Sequence, residues 1–483
     1  MEKNLVKINV NGGILSTGRL GEILGIARHF GAGYLHFGER QNIYFDSSEK
    51  NRILVNDYFE DKNIEFEFNT RQYPNMTSSY ISEDIFTTHP WVSEGMYQDI
   101  LNSFEYKTKL KINIVDPTQG LVPLFTGHLN FVCSLHMNFW YLYIKHPSMG
   151  GMVCYPTLIY TNHIGALSEA LEKELEGSLS IDLPALAKQI NEQHKFIVMD
   201  VDQELSLSRI RFPNYEGLNR LGDKFLLGIY RRSNDFAIDF LEAITELCRQ
   251  TRIGQICITP WQSILIKGIK ENDRILWEKL LGKYGVNIRH SALELNWQIP
   301  DLDQRALELK KFLVREFDER DIRTYGLSFA IKTNPMDVAS SVIIEELVSE
   351  VSDSPNALYT IKYAEDFNAN SQVFKVYEEN VEKTALPDVL ERLSRKYYEQ
   401  LNAGDDQQLN IENKEEKKSK TEKLLYQCKS CFTIYDSVYG DDMNDIPPGV
   451  AFSDLPESYC CPVCDGAKSD FVLKKMSLNG KVQ

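Results

Sequence analysis

Apolar positions at the start of the chain change their period repeatedly within the first seventy residues. Leu5, Ile8 and Val10 open a strand that ends at Gly12-Gly13. From about Thr17, the residues Leu20, Ile23, Leu24, Ala27 and Phe30 fall at helical spacing, and Gly31 and Gly33 stop that helix. Tyr34 to Phe37 and Asn42 to Phe45 predict two strands around the polar turn Glu39-Arg40-Gln41, and a second helix follows near Asn51 to Phe59. The same order recurs 221 residues later: Leu20, Ile23, Ile26 and Ala27 are answered by Leu241, Ile244, Leu247 and Cys248, and Gly33 by Gly254. RILVNDYF from Arg52 corresponds to RILWEKLL from Arg274, one residue out of register. A single long-period recurrence of a β-α-β-β-α unit implies a duplicated, pseudo-twofold body rather than a solenoid. It also assigns Cys248 and Cys257 to the core, one on an apolar helix face and one on a short strand.

Between the two units, GALSEALEKELEGSLSIDLPALAKQI predicts helix, with its glutamates on a solvated face. After about Pro387 a charged helix, VLERLSRKYYEQL, is expected to end near Asn402-Ala403-Gly404. DDQQLNIENKEEKKSKTEK has almost no apolar residues and dense charge of both signs, which predicts a flexible tether. Such a tether reaches roughly 25 Å root-mean-square. The expected organisation is α+β throughout. A first half spans 1–72 and its α/β partner 73–205; a second half spans 206–295 and its partner 296–402; a linker at 403–424 leads to a small domain at 425–475.

Composition narrows the function classes. The 483 residues exceed one compact domain, and 43% hydrophobic content supports a sizeable core. A net charge of −16 argues against nucleic acid or an anionic membrane surface as the main partner. The first residues lack the apolar run of a signal peptide, and no 18-residue apolar stretch occurs, so a cytoplasmic protein is expected. Of nine cysteines, Cys133, Cys154, Cys248, Cys257 and Cys460 suggest no disulfide framework, in keeping with a reducing compartment.

The remaining four form two Cys-x-x-Cys knuckles, Cys428/Cys431 and Cys461/Cys464, able to surround one metal with soft sulfur that selects iron or zinc. Structural zinc ribbons separate such pairs by about 15–20 residues. Here 29 residues intervene, carrying Tyr435-Asp436, Gly440, Ile446-Pro447-Pro448-Gly449, Phe452 and Leu455-Pro456, with Lys468 and Phe471 beyond. This ordered set resembles rubredoxin, which implies one iron on four cysteine ligands and single-electron transfer between redox proteins. Cys460 stands where that family has an ordinary apolar residue and is read as a non-ligand. Phe432 and Asp465 replace the glycines that usually follow each knuckle, where the backbone turns at positive φ.

GGILSTGRLGEILGIARHFGAGYLHFGERQNIYF resembles the ferredoxin-like half-domain of sirohaem-dependent nitrite and sulfite reductases, and the order TRQYPN, KLKINIV, RHSALELNW and FAIKTNP extends that resemblance to about residue 400. It implies that Arg40, Lys109 and Lys111 stand where the family grips its anion and the sirohaem carboxylates. The chain departs from the family in two ways. It has no cysteine between Cys257 and Cys428, and Lys332-Thr333-Asn334-Pro335 replaces a Gly-Cys-Pro-Asn motif, so a [4Fe–4S] cluster is not expected. Asn9 and Asn11 replace the family's arginine and proline before the paired glycines, which leaves sirohaem without sequence support. Lys109 and Lys111 also read as solvated lysines on an amphipathic strand, and Arg40 as a residue paired within its turn.

Three functions follow from these residues. One is an electron carrier with a degenerate reductase-like body, passing electrons from a donor reductase to a separate acceptor reductase. The alternative is an oxidoreductase whose body still binds a tetrapyrrole or oxyanion and is fed by the rubredoxin domain. The third is a zinc-stabilised interaction protein.

Overall fold

The computed structural model describes residues 4–476 apart from 50–51, 84, 87–88, 90, 179, 208–210, 288–293, 335–337, 348–356, 417–422, 431–432, 436–440, 442–443, 445, 448–449, 463 and 465. The chain divides into a body, Met1–Tyr397, and a smaller unit, Tyr398–Gln483.

The body contains the duplication residue by residue. Its first half is an antiparallel sheet of Tyr34–Phe37, Ile43–Ser47, Asn4–Ile8 and Glu67–Phe68; the second is built from Gly217–Leu221, Lys224–Ile229, Ser263–Lys270 and Gln255–Thr259. Ile8 faces Ile43 in one and Ile229 faces Ile264 in the other. Each sheet is completed by the opposite half. Ile14–Ser16 pairs with Gln255–Thr259, while Phe236–Ala237 pairs with Tyr34–Phe37. Flanking bonds repeat the symmetry: Thr17 N–H donates to the Gly254 carbonyl at 3.0 Å, and Ile238 N–H to Gly33 at 3.1 Å. Backbone conformation is conserved as well, with Gln41 and its counterpart Gln262 left-handed at φ 59° and 54°.

The predicted helix faces hold. Thr17–His29 buries Leu20, Ile23, Leu24, Ile26 and Ala27, and Ile238–Thr251 buries Leu241, Ile244, Leu247 and Cys248. The two helices pack together and join both halves into one apolar cluster. Cys257 lies buried in its strand as expected, in the adjoining apolar cluster, and burial pushes the Cys257 and Cys248 thiols up to about 11 and 12.

Each half is followed by a mixed sheet with the same order of strand directions. Thr77–Ser78, Ile112–Val115 and Leu129–Cys133 run parallel before Phe139–His146 turns antiparallel. Trp297–Gln298, Phe329–Lys332 and Val342–Leu347 run parallel before Leu358–Ala364 and Phe374–Glu382 do the same.

Two segments differ from expectation. The stretch after Ile164 forms two helices, Ile164–Leu175 and Leu183–His194, because Gly177 takes φ 77° and Pro184 opens the second helix under the Asp182 cap. The last helix, Leu386–Glu416, continues through Ala403-Gly404 into the stretch expected to be a tether. Extending a formed helix needs no new nucleus, and the Gln, Leu, Glu and Lys residues there are good helix formers. Among the described residues no helix is long and apolar enough to cross a membrane.

Candidate metal centre

The smaller unit is organised around a strand, Lys423–Cys428, that pairs with Phe471–Met476 on one side and Ile434–Tyr435 on the other. Its core is aromatic: Tyr435, Tyr459 and Phe471 are buried with Leu455, and Phe452 stacks on Tyr426 with centroids 4.0 Å apart. So small a core buries little apolar area, which makes a metal cross-link a main source of its stability.

Both knuckles close by the same backbone device. Cys428 N–H donates to Thr433 O at 2.8 Å, and Cys461 N–H donates to Gly466 O at 2.7 Å, each five residues along. These bonds fold the chain back so that the Cys428, Cys461 and Cys464 sulfurs lie within 4.8 Å of one another. Cys428 and Cys464 are 3.6 Å apart. A tetrahedron of sulfurs about 2.3 Å from a metal has edges of about 3.8 Å, so the set fits a single tetrahedral ion. Cys428 and Cys461 are buried and Cys464 is exposed, which leaves one edge of the site next to solvent. A Cβ on Gly466 would sit 3.4 and 3.5 Å from the Cys464 and Cys428 sulfurs, so glycine lets the backbone lie close over the site. Cys431, Phe432 and Asp465 lie outside the described residues. Cys460 is exposed, with its thiol near Ser458 O at 3.5 Å, and is not part of the sulfur cluster.

Further bonds support the site, one of them between members of the ordered sequence set and one from Tyr459 and Asp441, which the sequence analysis did not single out. Lys468 Nζ donates to Leu455 O at 2.6 Å, tying the segment after the second knuckle to the long loop. Tyr459 OH donates to Asp441 Oδ2 at 2.8 Å, and burial, with the Asp441 carboxylate second, pushes that phenol upward.

In the body, Arg40 is buried: its Nε donates to Asn75 O at 2.9 Å and its Nη2 to Ile112 O at 2.8 Å and Asn113 Oδ1 at 3.2 Å. Lys109 is exposed and bonded to Glu176 at 2.9 Å, which raises its pKa, while its backbone N–H donates to Glu172. Lys111 is half-buried at the start of the next strand, its N–H donating to His128 Nδ1 at 3.2 Å. Arg40 and Lys111 therefore belong to adjoining segments, and Lys109 is tied to the following helix. Thr333, at the missing cysteine position, donates its hydroxyl to Asp303 at 2.6 Å, next to the N-terminus of Gln304–Glu319.

Comparison with known proteins agrees with this geometry. The rubredoxin family model matches residues 425–471, and the nitrite/sulfite reductase ferredoxin-like half-domain model matches residues 2–50. Rubredoxin 4 of a Rhodococcus species is 45% identical over 49 residues, covering 10% of this chain and 82% of that protein. A probable rubredoxin, HupI, of Bradyrhizobium diazoefficiens is 44% identical over 52 residues, covering 11% and 75%. The high molecular weight rubredoxin of Moorella thermoacetica is 48% identical over 46 residues, 20% of its length. The longer rubredoxins it matches are thus spanned for only a fifth to a third of their length. The structure of Mycobacterium tuberculosis NirA superposes with a TM-score of 0.62 at 14% identity, covering 81% of this chain and 80% of that one. That likeness establishes a shared fold for the body. Through its C-terminal domain, which carries one iron site, the chain belongs to the rubredoxin family.

Proposed function

We propose that the chain is a one-electron carrier that passes electrons from its C-terminal iron site to a separate reductase, and that its body no longer reduces an oxyanion. The observation that carries this reading is the compact sulfur set of Cys428, Cys461 and Cys464, and the Cys-x-x-Cys spacing makes Cys431 the fourth ligand in this proposal. Iron held by four thiolates supplies one electron at a time and keeps no open position for substrate. In the body, Arg40 donates to protein oxygens, Lys109 is paired with Glu176, and Thr333 offers a hydroxyl where a thiolate would be needed. The partners are an electron donor reductase and an acceptor reductase. Asp454 and Glu457, exposed in the smaller unit, suit a partner with a basic docking patch, so that association should slow steeply with salt.

The test uses the full iron-loaded chain with a chemical reductant, with and without added sirohaem. The visible iron–sulfur colour should bleach and return with no consumption of nitrite or sulfite. Turnover that disappears in an Arg40→Ala, Lys109→Ala double variant would overturn the proposal and make the body the enzyme.

A further inference from the structure

The second half carries a cleft of about 340 Å³, the size of a small-ligand site, between the helix Gln304–Glu319 and the turn after Lys224–Ile229. Arg232 lies on the turn, and Lys310, Lys311, Arg315 and Asp318 share one face of the helix. Four cations, Arg232, Lys310, Lys311 and Arg315, thus stand against two carboxylates in the lining, Glu294 and Asp318. That surplus reverses the sign of the chain as a whole, whose net charge is −16.

The accessible cations are held in place and still have donors to give. Arg232 Nε donates to Glu294 Oε1 at 2.8 Å, and Arg315 Nε donates to Glu319 Oε1 at 2.9 Å. Among the described residues neither guanidinium makes a further hydrogen bond, so both Nη pairs remain for a ligand. The two side chains are 59% and 77% exposed, which keeps those donors within reach. Lys311 is exposed and has no hydrogen-bond or ion-pair partner among the described residues. Lys310 is buried, donates to Glu294 O at 2.9 Å and adds its charge from within. Burial pushes the nearby Glu216 carboxyl up to about 8, so near neutral pH it subtracts little. Guanidinium forks match the oxygens of a phosphate, and each such bond is charge-assisted.

The corresponding cleft of the first half has the opposite balance. At the 221-residue offset, Asn11 and Tyr73 stand where the second half has Arg232 and Glu294. Its cavity of about 690 Å³ is lined by Glu65, Glu67 and Glu105 against Lys7 and Lys107, and each lysine is paired with one of those glutamates. An anion is therefore expected in the second half and not in the first.

We propose that the second-half cleft binds a phosphate group, as the free ion or as a small phosphate ester, between Arg232 on one wall and Lys311 and Arg315 on the other. This stands apart from the electron-transfer reading, because phosphate takes no electrons and the iron site belongs to the smaller unit.

The test is equilibrium dialysis of the full iron-loaded chain against radiolabelled inorganic phosphate at constant ionic strength, with glycerol 3-phosphate as competitor. Phosphate should bind saturably at one site per chain. Lys311→Glu and Arg315→Glu should each weaken it by about tenfold or more, the loss of one charge-assisted hydrogen bond, with circular dichroism and iron bleaching unchanged. Lys188→Glu, an exposed charge reversal on Leu183–His194, should leave binding as it is. Displacement by glycerol 3-phosphate at lower concentrations than by unlabelled phosphate makes the ligand an ester, the reverse order makes it the free ion, and either result supports the site. Absence of saturable binding, binding that both reversals at the cleft leave unchanged, or equal weakening by Lys188→Glu would each overturn the proposal.

Discussion

The two halves of the body keep the same apolar code and differ at several polar positions. Leu20 and Leu241, or Ile8 and Ile229, occupy equivalent buried places, and the strands pair in the same register. Polar positions at the same offset have diverged instead. Asn9 is answered by Tyr230, Asn11 by Arg232 and Tyr73 by Glu294. The second half then adds buried ionisable groups around that pair: Lys310, whose ammonium donates to Glu294 O at 2.9 Å, and Glu216, whose carboxylate oxygens are buried without partners. Packing constrains volume and shape at every buried contact, whereas a polar site is held only by its ligand or its partner. Duplication therefore preserved the scaffold and freed the sites.

That contrast can be broken first at the shared helix pair. Leu20→Ala and Leu241→Ala should each cost about 2–5 kcal/mol, by similar amounts, because both side chains leave a cavity in one common cluster. Urea unfolding of each variant should show the body losing stability as one unit. Two separate body transitions, with only one displaced, would mean that the halves are independent domains.

A smaller effect separates the polar positions. Arg232→Ala leaves Glu294, 2% exposed, without its partner and should cost about 1–3 kcal/mol. Asn11→Ala, at the equivalent exposed position, should stay within about 0.5 kcal/mol. Equal losses in the two variants would show that Asn11 holds a partner as costly to lose as that of Arg232.

A third contrast is a slope in pH. Burial, with the Glu294 charge second, pushes the Glu216 carboxyl up to about 8 from 4.5. The folded protein then holds a proton that the unfolded chain releases between those values, so Glu216 makes stability fall as pH rises from about 5 to 8. Lys310, whose pKa burial lowers, acts in the opposite sense in a window that ends at its ordinary 10.5. Glu216→Gln should flatten the fall between pH 5 and 8 in thermal melts. An unchanged slope would mean that another group carries the proton.

The duplication was legible because its signal is apolar and periodic: Leu20-Ile23-Leu24-Ala27 writes one helix face whatever surrounds it. The strand exchange was not, since Phe236–Ala237 and Ile14–Ser16 are too short to show a period and their partners are more than 200 residues distant. The break at Gly177 and Pro184 was visible as residues but was overridden by the flanking helical pattern. The continuation of the last helix to Glu416 hid behind its charge, because composition alone cannot separate a solvated helix from a coil. The clustering of the Cys428, Cys461 and Cys464 sulfurs was readable from spacing. The clefts were not, because segments from residue 7 to residue 108 meet only after folding.

The exchanged strands have one more consequence, for how such a chain can be cut. A piece ending near residue 205 would lose Phe236–Ala237 and bare the backbone of Tyr34–Phe37, while its own Ile14–Ser16 would have no sheet to join. A bare edge and an unplaced strand of matching register are complementary, so two copies of the severed half should trade strands about a true twofold axis. Fusion into one polypeptide supplies the second copy at a fixed, high effective concentration, so the present body is a dimer that no dilution can separate.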